Sequence, residues 1–231
     1  MAREIQQGFL PQESPTFPSA HFELLERLIP AYEISGDFYD YFSVDERHFA
    51  AIVADVSGNG MPAALFMTMV RALVRQLAET ISSPARILSR LNDAPARDNP
   101  KFMFVTVILG IYDVITGECV LARGGHPPAL LRDARGRVPE VAMPTGTLVG
   151  IMAPYPVQED FRMQLGVGDT LVFYTDGVTE ANASDSPELF GSIRLESLIA
   201  RQPSWTKLED RFRVFATRFN DSQSRKPFRT T

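Results

Sequence analysis

A single cysteine, Cys119, in 231 residues leaves no partner for an intrachain disulfide, which excludes a disulfide scaffold and fits a reducing compartment. No apolar run approaches the roughly 20 residues of a bilayer span, so membrane insertion is not expected. Nor is there a block of lysine and arginine. The 23 basic and 28 acidic residues give a net charge of −5, without the electrostatic footprint of a nucleic-acid binder. The opening stretch MAREIQQGFLPQ lacks the basic-then-apolar pattern of a signal peptide. Internal repeats, low-complexity tracts and linkers are also missing between residues 20 and 200. These absences point to a cytoplasmic protein that does not bind nucleic acid, and 45% hydrophobic content is enough for a substantial core.

What is present is a chain whose periodicity changes several times. Residues 1 to 10 read as the end of a helix with Ile5 and Phe9 on one face, closed by Pro11, and His21 to Ile29 read as a strand. In HFAAIVADVSGNG the apolar run Phe49 to Ala54 stops at Asp55 and enters a glycine-rich turn, as a strand buried on both faces does. A helix follows, with Pro62 in its first turn and Phe66, Val70, Leu73, Leu77 and Ile81 as its buried stripe. Ser83 and Pro84 open a second, shorter helix.

Two hairpins come next, one turning at Thr116-Gly117 and one around Asp133 to Gly136, and GDTLVFYTDG delivers a second strand, Leu171 to Tyr174, to a second aspartate and glycine. Trp205, Leu208, Phe212, Phe215 and Phe219 mark an amphipathic closing helix. One domain of antiparallel sheet with flanking helices accounts for this order.

Three carboxylates stand out: Asp37 ahead of the aromatic run FYDYF, Asp55 at the end of one buried strand and Asp176 at the end of another. Each lies beside glycine, in GD, DVSG and DG, where backbone can turn sharply and approach a bound ion. A buried carboxylate is costly unless a cation or hydrogen-bond donors hold it ionised, and no lysine or arginine lies within six residues of Asp37. An all-oxygen set without a histidine or cysteine cluster favours a hard cation, Mn²⁺ or Mg²⁺, over zinc or copper. The competing reading is ordinary turn chemistry, with Asp37 capping a turn and Asp40 facing water.

The blocks IQQGFLP, ISGDFYDYF, VADVSGNGMPAALFM, FVTVILGIYD, GGHPPALL, PTGTLVGI and GDTLVFYTDGVTEA, in this order, resemble the stage II sporulation protein E-like phosphatases. These are metal-dependent type 2C protein phosphatases that act on sigma-factor regulators. The resemblance implies an α+β fold, an αββα sandwich of two antiparallel sheets flanked by helices. It assigns residues 1–12 to the end of an N-terminal signalling helix able to pair two copies, 13–219 to the phosphatase domain and 220–231 to an irregular polar tail. It implies two ions, Mn²⁺ or Mg²⁺, and hydrolysis of phosphoserine or phosphothreonine on a small sigma-factor antagonist-type protein by an activated water. Asp55 would bridge the ions, Asp37 and the Val56 carbonyl would complete one, and Asp176 would hold the other. Asp40 belongs to the same motif, in a supporting role.

Departures from the family pattern carry expectations of their own. Ser57 stands where eukaryotic relatives have a histidine, so the proton donor to the leaving oxygen is unassigned, and His126 reads as a structural residue of a strand turn. Arg123 replaces a usual asparagine and reads as surface variation. The family's closing Asp-Asp-x-Thr motif and strand are replaced by NDSQSRKPFRTT, whose only carboxylate is Asp221. The alternative function is therefore a weak or inactive phosphatase-like module that binds a regulatory partner.

Overall fold

The computed structural model describes residues 8–11, 22, 24–29, 36–97, 99, 101–156, 159–182 and 188–201. Five strands, β1 (Phe38–Ser43), β2 (His48–Val56), β3 (Val105–Asp113), β4 (Glu118–Gly124) and β6 (Phe161–Gln164), form one antiparallel sheet in the order β1-β2-β3-β4-β6. Strands β5 (Leu130–Arg132) and β7 (Thr170–Val172) pair antiparallel as a second, smaller sheet. The helices are α1 (Gly60–Ala78), α2 (Pro84–Arg97), the single turn α3 (Asp176–Thr179) and α4 (Ser192–Ala200).

Alternation along β2 explains the layering. Ala50, Ile52, Ala54 and Val56 join Val107 and Leu109 of β3 in a core with Met67 and Val70 of α1 and Leu88 and Leu91 of α2. Val53, on the opposite face, packs with Ile108, Leu121 and Phe173 between the two sheets. Leu130 and Tyr174 then meet Leu195 of α4. The order is helix, sheet, sheet, helix, the αββα sandwich expected. Sheet-to-sheet contact is close at Gly110, where an added Cβ would lie 2.9 Å from Leu121 Cδ2 and 3.3 Å from Phe173 Cζ.

Several local expectations need correction. The buried stripe of α1 is Ala63, Met67, Val70, Val74 and Ala78, while Phe66, Leu73, Leu77 and Ile81 flank it against the same core. The turn at Asp133 to Gly136 closes as expected, with the Asp133 N–H donating to the Arg137 carbonyl at 2.9 Å. Its return leg also pairs with β5, the Leu131 N–H donating to the Pro139 carbonyl at 3.0 Å and the Val141 N–H to the Ala129 carbonyl at 2.8 Å, and β5 forms a further ladder with β7. Strand β7 ends at Val172, short of Tyr174, and residues 22 and 24–29 carry no strand. Ser83 does cap α2, its hydroxyl accepting from the Arg86 N–H at 3.2 Å. Ile5, the closing helix over 205–219 and Asp221 lie outside the described residues. Among the described residues, no helix is long and apolar enough to cross a membrane.

Candidate metal centre

Asp37 and Asp55 meet because of strand register. The β1–β2 ladder pairs Phe38 with Ala54, and the Val56 N–H donates to the Gly36 carbonyl at 3.3 Å, so Asp37 stands across from Asp55 on the face turned toward the second sheet. Like charges placed directly opposite destabilise a strand pair. Asp176 arrives from the second sheet. Phe173, Tyr174 and Thr175 link the end of β7 at Val172 to Asp176, the first residue of α3. A Cβ added at Gly177, the next residue, would lie 3.8 Å from Asp37 Oδ2, so this turn sits against the Asp37 carboxylate.

The electrostatics follow from this convergence. Burial, then the charges of Asp37, Asp176 and Glu180, push the Asp55 carboxyl up to about 7. Every charge in that set is negative. Sequence reading misses Glu180, although it lies one helical turn after Asp176 and its N–H donates to the Asp176 carbonyl at 2.8 Å. Among the described residues, no three carboxylate, imidazole or thiolate groups close into a ready-made cage. Sparse direct ligands and clustered negative charge suit a hard divalent cation that keeps part of its water shell, and the donor set therefore fits Mn²⁺ or Mg²⁺.

Gly36 controls the approach of the Val56 carbonyl. A Cβ at Gly36 would lie 2.4 Å from the Val56 oxygen and 3.3 Å from Asp55 Oδ1, so any side chain there displaces two of the expected ligand atoms. Gly36→Ala is accordingly expected to weaken Mn²⁺ binding at least about tenfold, the scale on which supporting groups tune metal sites. Titration calorimetry checks this, and unchanged affinity would remove the Val56 carbonyl from the ligand set.

Asp40 stands apart from this centre. Three positions beyond Asp37 on an extended segment, its side chain points to the opposite face, toward α1. Arg75 Nε and Nη2 donate to its two oxygens at 2.6 and 2.7 Å, and Arg71 Nε lies 3.0 Å from Oδ2. Asp40 neither faces water nor joins the other aspartates; it ties β1 to α1.

Two further residues are placed by hydrogen bonds. The Ser57 N–H donates to the Phe104 carbonyl and the Ser57 hydroxyl accepts from the Phe104 N–H, both at 2.9 Å, which fixes the loop after Val56 to the segment entering β3. His126 is 2% exposed, with Nδ1 2.9 Å from the hydroxyl of Thr106, the residue paired with Asp55 across β2 and β3. Burial pushes its pKa down to about 4, so at neutral pH it is uncharged and serves packing rather than proton donation as an imidazolium. Arg123 is no surface variation: its guanidinium donates to the His126 carbonyl at 2.9 Å and the Met143 carbonyl at 3.3 Å.

The chain is similar in sequence and fold to several known proteins. The family model described as Stage II sporulation protein E (SpoIIE) matches residues 45–227. Protein IcfG of Synechocystis sp. is 30% identical over 90% of this chain and 36% of its own length. Phosphoserine phosphatase RsbU of Bacillus subtilis is 29% identical over 80% of this chain and 54% of its own length. The chain thus spans about a third to a half of these relatives. Among solved structures, the SiaA-PP2C domain of Pseudomonas aeruginosa superposes with a TM-score of 0.79 at 24% identity, covering 99% of this chain and 90% of that one. RsbX in complex with magnesium gives 0.60 at 17% identity, covering 82% of each. With a family match over most of its length and the fold of the SiaA-PP2C domain, the chain belongs to the stage II sporulation protein E family.

Proposed function

We propose that the chain is a metal-dependent protein serine/threonine phosphatase acting on a phosphoserine or phosphothreonine of a small sigma-factor antagonist-type protein. The observation that carries this reading is the convergence on Asp55 of negative charge alone. A module that only bound a partner would gain nothing from mutually repelling carboxylates, whereas a centre for two cations requires them. The names of RsbU and RsbP of Bacillus subtilis, both phosphoserine phosphatases, support the substrate class.

In this reading Asp37, Asp55 and the Val56 carbonyl would hold one ion, and Asp55 with Asp176 would hold the other. Bound there, divalent cations lower the pKa of water and offset charge on a transferring phosphoryl group. Gly36 keeps the Val56 carbonyl and the Asp55 carboxylate in position, and the Ser57–Phe104 pair holds the loop that presents them. With fewer protein ligands, the second ion would bind more loosely. We place the phosphatase domain at 13–219 in the cytoplasm, with 1–12 as a signalling helix that pairs two copies.

Hydrolysis of p-nitrophenyl phosphate that requires Mn²⁺ and rises steeply at high Mn²⁺ is the expected result. Complete inactivity with both ions bound would favour the partner-binding module instead.

A further inference from the structure

The GGHPPALL block has no part in the chemistry proposed above, yet its histidine is firmly held. Gly125 has φ +65°, and an added Cβ there would lie 2.4 Å from Leu148 Cδ2, so the turn into His126 requires glycine. The Gly125 N–H donates to the Gly146 carbonyl at 2.9 Å, and Arg123 Nη1 donates to the His126 carbonyl at the same distance. The backbone on which the imidazole stands is thus fixed before and at His126.

Filling space is only part of what this side chain does. Burial takes the ring nitrogens out of water, a cost that a leucine of similar size would not carry. What an imidazole adds is polar contact with two elements at once. Nδ1 lies 2.9 Å from the hydroxyl of Thr106, on β3, directly across the ladder from Asp55. The second contact is looser: the Tyr174 backbone, two residues before Asp176, acts on the same ring as an acceptor, while Nε2 makes no close hydrogen bond. Tyr174 lies beyond the end of β7 at Val172, where the ladder with β5 no longer fixes the chain. One buried side chain therefore meets the strand opposite Asp55 in the first sheet and the segment that delivers Asp176 from the second.

We propose that His126 is a positioning residue for the second ion, a spacer that sets how far Asp176 stands from Asp55. The inference rests on the two-ion reading and adds to it the group that holds its two halves together. Asp37 and the Val56 carbonyl come to Asp55 through the β1–β2 register, within the first sheet, so the first ion does not depend on His126. Asp176 comes from the other sheet, and its distance from Asp55 does.

Mn²⁺ titration, followed by the electron paramagnetic resonance signal of the free ion, tests this on wild type, His126→Gln and His126→Leu. Wild type is expected to bind one Mn²⁺ tightly and one loosely. His126→Leu weakens the looser step about tenfold, the scale on which groups that orient ligands act, and leaves the tighter step within about twofold. His126→Gln, which offers a donor and an acceptor on a side chain of similar reach, recovers most of the loss. Metal-free thermal unfolding of the same variants separates positioning from packing. A lowered unfolding midpoint with both Mn²⁺ steps intact would make His126 a packing residue and overturn the proposal. Equal weakening of the two steps, or a glutamine variant as impaired as the leucine one, overturns it as well. Should His126→Leu fail to fold, Thr106→Val removes the same link at its other end, and an unchanged looser step in that variant overturns the proposal too. A wild-type chain that binds one Mn²⁺ or none would bring down the two-ion reading and this inference with it.

Discussion

Asp55→Asn is expected to lower Mn²⁺-dependent hydrolysis by on the order of a thousandfold, equivalent to about 4 kcal/mol of transition-state stabilisation. In the proposed reading this carboxylate would be shared by both ions, and an amide supplies neither its charge nor its second anionic oxygen. Metal-free stability should not fall, because the substitution removes one member of a set of mutually repelling carboxylates. Turnover, Mn²⁺ titration and thermal unfolding of the same preparation separate these effects. Wild-type turnover with intact Mn²⁺ dependence would contradict the assignment.

Asp40→Ala should do the reverse. It leaves Arg71 and Arg75 facing a strand without their anion, and breaking a buried pair by removing one partner costs about 3–5 kcal/mol. The lower end of that range is expected, since Arg75 is partly exposed and its guanidinium keeps its place 4.6 Å over the Phe42 ring. Denaturant unfolding measures the loss. Mn²⁺ affinity of the folded fraction should be unchanged. A variant of wild-type stability that had lost Mn²⁺ binding would make Asp40 a ligand.

The two aspartates also mark what the sequence discloses and what it conceals. Strand alternation alone puts residues 37 and 40 on opposite faces, so their division of labour is legible once the segment is read as a strand. The partners of Asp40 are not, because they come from a helix 31 and 35 residues away. Asp55 and Asp176 are legible as apolar runs ending in a carboxylate and a glycine turn. Glu180 escapes notice although its spacing from Asp176 is that of one helical turn. Pairing of β5 with β7 is not legible, because the turn signature at Asp133 to Gly136 accounts only for the hairpin that β5 also makes.

The central claim is that Asp55 is shared by two cations, and anomalous diffraction from crystals grown with Mn²⁺ tests it most directly. The account predicts two Mn²⁺ peaks on either side of the Asp55 carboxylate, one also reached by Asp37 and the Val56 carbonyl, the other by Asp176. Peaks that leave Asp55 without a metal contact would contradict it.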